Sequence, residues 1–201
     1  MTTRQRFSIQ AGAVLLMLAG SACGANAAQC SSSGGGFEDW KEAFASEARA
    51  HGVGEAGISA LMNTHYSTAT IGADRGQKSF KLSLDQFMKK RGASTIVARG
   101  RQLKRSQAAL FASLERRYGV PPGPLLAIWG METGFGAIHG NQHALSAVAT
   151  LAYDCRRSAY FTDQLYAALE LIDRGAISPN ARGSMHGEIG QTQFLPKNIL
   201  Q

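Results

Sequence analysis

With 201 residues and a hydrophobic content of 44%, the chain has room for one domain and enough apolar material to bury a core, which excludes a wholly disordered protein. Its formal net charge of +7 suits an anionic polymer such as nucleic acid, acidic polysaccharide or cell wall, although a solvated basic face gives the same number.

The chain opens with Arg4 and Arg6, then the apolar run AGAVLLMLAG, then Ala25, Asn26 and Ala27. That order of basic, apolar and A-x-A segments predicts an export signal over residues 1–27. The apolar run is too short for a comfortable membrane span and no later one is long enough, so the processed chain is expected to be soluble. A lipid anchor at Cys23 is the competing reading, but this cysteine follows LAGSA instead of sitting directly after a Leu-x-small pattern. Cleavage near Ala27 leaves Cys30 and Cys155 as an even pair entering an oxidising compartment, where a bridge is expected and two buried free thiols are the alternative. It also leaves 19 Lys and Arg against 14 Asp and Glu, a net charge of +5, and export makes nucleic acid a poor partner.

Residues 28–36, ending in CSSSGGG, read as a flexible lead-in. From Phe37 the apolar residues recur at helical spacing, with Phe37, Trp40 and Phe44 on one face, and the Gly-Val-Gly at 52–54 closes that segment. A second short helix is predicted over 55–62. The polar stretch 72–81, GADRGQKSFK, reads as loop, and LSLDQFMKK offers another helical turn or two. One long helix is predicted over 94–118, with Ile96, Leu103, Leu110, Phe111 and Leu114 turned inward and Gly119 as its stop. Pro121 and Pro122 open the next helix, where a missing N–H costs nothing. Further helices are predicted over 144–153 and 158–174, the second ended by Gly175. No alternating strand, repeat or heptad array stands out, so the fold class is mainly α. The final stretch, QTQFLPKNILQ, lacks a terminating element, and the domain at 37–201 is expected to be incomplete at its C-terminal end.

Glu132 is the conspicuous residue, a carboxylate near the end of the proline-started helix within IWGMETGFG. The negative end of a helix and apolar neighbours such as Ile128, Trp129 and Met131 both favour a protonated carboxyl. Such a group can donate a proton to a leaving oxygen, as cleavage of a glycosidic bond requires. Gly130, Gly134 and Gly136 would admit a bulky polymer. The bland alternative is a Glu132 that points outward and pairs with a basic residue. The second constellation is GSMHGEIGQTQF at 183–194, where Ser184, Gln191 and Gln193 crowd hydrogen-bonding groups suited to sugar hydroxyls and acetamides, against the alternative of an ordinary cap and turn. His139 and His143 form a His-x-x-x-His pair without the companions of a zinc motif. Neither a metal nor a cofactor is called for, and no nucleophile elbow, phosphate loop or dinucleotide fingerprint is present.

RYGVPPGPLLAIWGMETGFG, ALSAVATLAYDCRRSAYF and GEIGQTQFLP, in that order, resemble the membrane-bound lytic murein transglycosylase B family, glycoside hydrolase family 103. The resemblance runs from about Phe37 to the last residue. It implies a lysozyme-like helical fold, a periplasmic location, and cleavage of the β-1,4 bond between N-acetylmuramic acid and N-acetylglucosamine in peptidoglycan, with a 1,6-anhydromuramoyl product. It further implies Glu132 as the sole catalytic carboxylate, Ser184 and Gln193 as contacts to the saccharide, and Phe87 near an aromatic position that faces the sugar. Cys30 and Cys155 match a disulfide expected in related short exported members. The chain departs from the family at Met185 and His186, where Trp or Phe and then Ala are usual, and family members continue beyond QFLP.

Two alternatives stand beside this reading. A hydrolytic muramidase would use water and a second carboxylate, for which Glu188 is the candidate base. A non-catalytic peptidoglycan-binding module would keep the fold and the basic face without turnover. Protein partners are not legible in the sequence.

Overall fold

The computed structural model describes residues 28–76 and 81–201; the expected export signal, with Cys23, lies outside the described residues. The described chain is mainly α-helical. It runs α1 (Phe37–Ala50), α2 (Glu55–Met62), α3 (Thr68–Arg75), α4 (Leu84–Lys90), α5 (Ala93–Ser106), α6 (Ala108–Tyr118), α7 (Pro122–Thr133), β1 (Gln142–His143), α8 (Ala144–Tyr153), α9 (Ser158–Asp173), β2 (Arg182–Gly183) and α10 (Pro196–Leu200). β1 and β2 form one short antiparallel pair, with Gln142 opposite Gly183 and His143 opposite Arg182. Among the described residues no helix is long and apolar enough to cross a membrane.

α8 is the axis of the larger core: all ten of its residues are buried. Its sequence, ALSAVATLAY, is mostly small and apolar, so neighbouring helices can approach closely on every side. Phe37, Trp40 and Phe44 of α1, Ile58 and Leu61 of α2, Ile71 of α3, and Phe161, Leu165 and Leu169 of α9 fill the space around it. A second, smaller core of Leu103, Phe111 and Leu126 joins α5, α6 and α7.

Polar ties fix the joints between these helices. Lys41 is buried, and its Nζ donates to the carbonyls of Met62 (2.9 Å) and Thr64 (2.8 Å) at the end of α2 while pairing with Glu38 at 2.8 Å. Asp74, on the last turn of α3, is buried and accepts from Arg156 Nε at 2.7 Å and from Arg157. Burial pushes the Asp74 carboxyl up, but the hydrogen bond from Arg156 and the charges of Arg157 and Arg156 outweigh it and hold the group below the usual carboxylate range.

Three differences from the sequence expectations have physical causes. The stretch from Gly72 is not loop from its first residue. α3 carries through Arg75, started by the Ser67 side chain accepting from Thr70 N at 3.1 Å and anchored by Asp74. The long helix expected over 94–118 is two helices, broken at Gln107 (φ −120°). The break leaves Leu110 50% exposed while Leu103 and Phe111 stay buried. The lead-in is tied down: Cys30 and Cys155 are bridged, with Cα atoms 5.0 Å apart, and Ser31 pairs with Asp154 beside the bridge. The Tyr153 hydroxyl adds a hydrogen bond to the Gly35 carbonyl.

Candidate functional site

Glu132 occupies the last turn of α7, which Pro122 opens at the first helical position. The helix ends in an αL-type cap, with Gly134 left-handed at φ 58° and its N–H on the Gly130 carbonyl, while the Phe135 N–H reaches the Trp129 carbonyl, both at 3.1 Å. Phe135 is itself left-handed at φ 61°, a conformation that costs a non-glycine residue energy and is held here by packing. Its ring lies edge-on to Trp129 and against Gly130, where an added Cβ would come within 2.7 Å of Phe135 Cζ and 2.6 Å of Ile96 Cγ2. Glycine at 130 therefore lets α5 and Phe135 close on α7.

The structure brings the two constellations together. The Thr133 hydroxyl donates to the Gln191 carbonyl at 2.7 Å and accepts from the Gly136 N–H at 3.1 Å, joining the residue after Glu132 to the 183–194 loop. Gly136, at φ +84°, sits so close to Gln191 that a Cβ would meet its Oε1 at 2.8 Å. Arg91, at the end of α4, donates to the Met131 carbonyl at 2.5 Å and so brings the helix carrying Phe87 to the end of α7. Phe87 is half-buried. Thr133 and Arg91 escaped the sequence reading, since each acts through a partner 40 or more positions away.

Glu132 itself is exposed, as are Ile128 at 39% and Met131 at 36%. The apolar neighbours therefore do not enclose the carboxylate as the sequence pattern suggested. It points outward, as the bland alternative had it, but the pairing is missing: Glu132 makes no ion pair or hydrogen bond among the described residues.

The loop is a folded device. Ser184 N–H donates to the Glu188 carbonyl at 2.9 Å, and Ile189 and Phe194 exchange backbone bonds of 3.0 and 3.2 Å across a turn whose tip includes Gln193 at φ 51°. Gln193 Nε2 donates to the Gly190 carbonyl at 2.8 Å, while the Gln191 side chain is exposed. The Ser184 hydroxyl contacts Glu188 Oε2 at 2.7 Å. His186 faces α3 from the loop, its Nε2 lying 3.9 Å from Asp74 Oδ1. Of the histidine pair, His139 is exposed and His143 caps α8, its Nδ1 accepting from Ser146 N–H at 3.2 Å. Burial first, then the Arg182 charge, lowers the His143 pKa below the ordinary imidazole value. A hollow of about 580 Å³ beside β1 and β2 is lined by His65, Gln142, His143, Asn180 and Arg182, among others, and Glu132 is not in its wall.

A helical body that ends one apolar helix in a lone acid, beside a short β pair and a glycine-rich loop, has the lysozyme-like fold of the lytic transglycosylases. The model of the transglycosylase SLT domain matches residues 36–201, and the chain belongs to that family. Membrane-bound lytic murein transglycosylase B of Escherichia coli (strain K12) is 37% identical over 86 residues, which are 42% of this chain and 24% of that protein. SltB3 from Pseudomonas aeruginosa, solved in complex with NAG-anhNAM-pentapeptide, superposes with a TM-score of 0.73 at 32% identity over 80% of this chain and 44% of that one. Soluble lytic transglycosylase SltB1 from the same organism gives a TM-score of 0.67 at 24% identity, covering 81% of this chain and 55% of its own, and supports the fold alone. The chain thus spans less than half the length of the first two relatives.

Proposed function

We propose that the chain is a lytic murein transglycosylase that cleaves the β-1,4 bond between N-acetylmuramic acid and N-acetylglucosamine in peptidoglycan, with Glu132 as its only acid and base. The observation that carries this reading is a Glu132 without a partner among the described residues, at the end of α7 and held beside the 183–194 loop by the Thr133–Gln191 bond. Family membership and the muropeptide in the SltB3 complex support the choice of substrate.

In this reading Glu132 gives its proton to the leaving oxygen as the glycosidic bond breaks. Positive charge at the anomeric carbon is met by the carbonyl oxygen of the substrate's own N-acetyl group, so no second carboxylate is needed, unlike the usual paired scheme. The Glu132 carboxylate then takes the proton of the muramoyl C6 hydroxyl, whose oxygen bonds to the anomeric carbon and closes the 1,6-anhydro ring. The proton given is recovered, and the attacking group belongs to the same sugar, which makes the closure a proximity effect. Because Glu132 is exposed in the free chain, the bound glycan itself provides the desolvation that a proton-holding carboxyl needs. Gln191, Gln193 and the turn at Ser184 line the glycan, with Phe87 from α4 as its aromatic neighbour. Residues 1–27 serve as the export signal, residues 28–36 lead into the domain at 37–201, and the place of work is the periplasm, where the basic chain meets peptidoglycan strands.

The exposure of Glu132 also favours one competing reading, a peptidoglycan-binding module without turnover. Mass spectrometry of purified peptidoglycan digested with the protein separates the readings. Muropeptides ending in 1,6-anhydromuramic acid are expected, and Glu132→Gln should lower their release by roughly a hundredfold or more while sparing binding. Reducing ends would make the protein a hydrolytic muramidase. Binding without any product from a folded sample would leave the binding module.

A further inference from the structure

The Ser184 hydroxyl is fully occupied within its own turn. It lies 2.7 Å from Glu188 Oε2, and it receives the N–H groups of His186 at 3.1 Å and Glu188 at 3.2 Å. A hydroxyl has one proton and two lone pairs, and a carboxylate can only accept. The proton is therefore committed to Glu188 and both lone pairs to the amides, so Ser184 has nothing left for a ligand.

Glu188 is in the opposite position. It is half-buried and uses one carboxylate oxygen on Ser184, while Oε1 has no hydrogen bond among the described residues. Its backbone is pinned by the Ser184 N–H on its carbonyl at 2.9 Å, and Gly183 leaves no room for a side chain against that same carbonyl. The result is a carboxylate oxygen held in place before any ligand arrives, which lowers the ordering cost of binding. Met185 and Phe194, exposed at 45% and 46% on the same loop, supply the apolar surface that the faces of sugar rings favour.

We propose that Glu188 is the residue through which this loop grips the glycan: its free Oε1 accepts a hydrogen bond from a saccharide hydroxyl or acetamide N–H, with Ser184 behind it as the positioning residue. The assignment rests on the preceding reading that the ligand is a glycan. It moves to Glu188 the contact that the resemblance gives to Ser184, and it makes Glu188 a binding group, not the base of a hydrolytic scheme.

Calorimetric titration of the protein with the tetrasaccharide of N-acetylglucosamine tests it in the wild type and in Glu188→Gln, Glu188→Ala and Ser184→Ala. Glutamine keeps an acceptor for Ser184 but turns the free oxygen into a donor, so Glu188→Gln should weaken binding about tenfold, the size of one charge-assisted hydrogen bond. Glu188→Ala should lose at least as much. Ser184→Ala, which loosens Glu188 without removing it, should lose less than Glu188→Gln. Because the glutamine variant is nearly isosteric, matched thermal melts separate a lost contact from a lost fold. Wild-type affinity in Glu188→Gln, or a larger loss in Ser184→Ala, overturns the assignment and leaves the glycan reading standing. A wild-type protein that binds neither the tetrasaccharide nor peptidoglycan strands overturns both.

Discussion

Thr133 is 1% exposed, and its hydroxyl bridges the Gln191 carbonyl and the Gly136 N–H, so the side chain beside Glu132 fastens α7 to the loop that faces it. Thr133→Val keeps the volume and removes the hydroxyl, which strands a carbonyl and an amide in a half-buried joint. The expected cost is about 1–2 kcal/mol of stability, read as a lowered urea midpoint. Turnover should fall further than that loss alone explains, because Glu132 and the loop would no longer keep a fixed separation. A Thr133→Val protein with wild-type midpoint and turnover would remove the hydroxyl from any positioning role. Glu132 stood out as a candidate acid from its neighbours in sequence, being the one acid in an apolar, glycine-rich run. Thr133 did not, because its partner lies 58 positions away and a single threonine carries no periodic signal. Ser184 shows the reverse: its residue type pointed to a ligand contact, and only the geometry reveals that its hydroxyl is already taken.

Helices whose signals are local follow the sequence closely, and those whose limits depend on packing do not. α2 and α8 have the predicted bounds, 55–62 and 144–153, because glycines or a change of hydropathy flank them. The stretch 94–118 holds no proline and no glycine near its middle, so nothing local foretells the break at Gln107; α5 and α6 instead pack separately on α7. α7 itself has apolar residues on all its faces, a pattern that periodicity cannot orient. At the start of α8 the capping group is a histidine, not one of the residues that usually announce a helix. His143 can accept the Ser146 N–H only while Nδ1 is unprotonated, and its folded pKa is depressed. Its contribution is therefore present in full above the unfolded imidazole value, near 6.5, and is lost as the pH falls through the lower folded value. His143→Asn supplies an alternative cap without this titration. The wild type should lose stability relative to His143→Asn between about pH 7 and pH 5, measured by urea midpoints across that window. Parallel midpoints at every pH would show that the cap does not titrate as described.

Across the molecule, the described residues are held by two cores of unequal size and by contacts that close long stretches of chain. The Cys30–Cys155 bridge spans 125 residues, and it fixes the lead-in against the end of α8 beside the backbone pairing of Ser31 with Asp154. Cys155 is followed directly by Arg156 and Arg157, which both reach the buried Asp74, and Asp154 before it pairs with Arg75 at 2.5 Å. The covalent tie and the ion pairs thus meet at one junction of α3, α8 and the lead-in, on the side where His186 of the 183–194 loop approaches Asp74. Closing a loop of this length lowers the entropy of the unfolded chain by an amount worth about 4–5 kcal/mol in the chain-entropy model. Replacing both cysteines by serine should therefore lower stability by several kcal/mol, and reduction of the wild type should bring its urea midpoint to that of the double variant. Because the arginines keep Asp74 without the bridge, the folded double variant should retain its glycan affinity. A loss of affinity larger than the unfolded fraction accounts for would mean that the bridge also sets the position of the loop through Asp74 and His186. A loss of stability below about 1 kcal/mol would instead mean that the backbone pairing at Ser31 already restrains the lead-in, with the bridge adding little to a junction the ion pairs have closed.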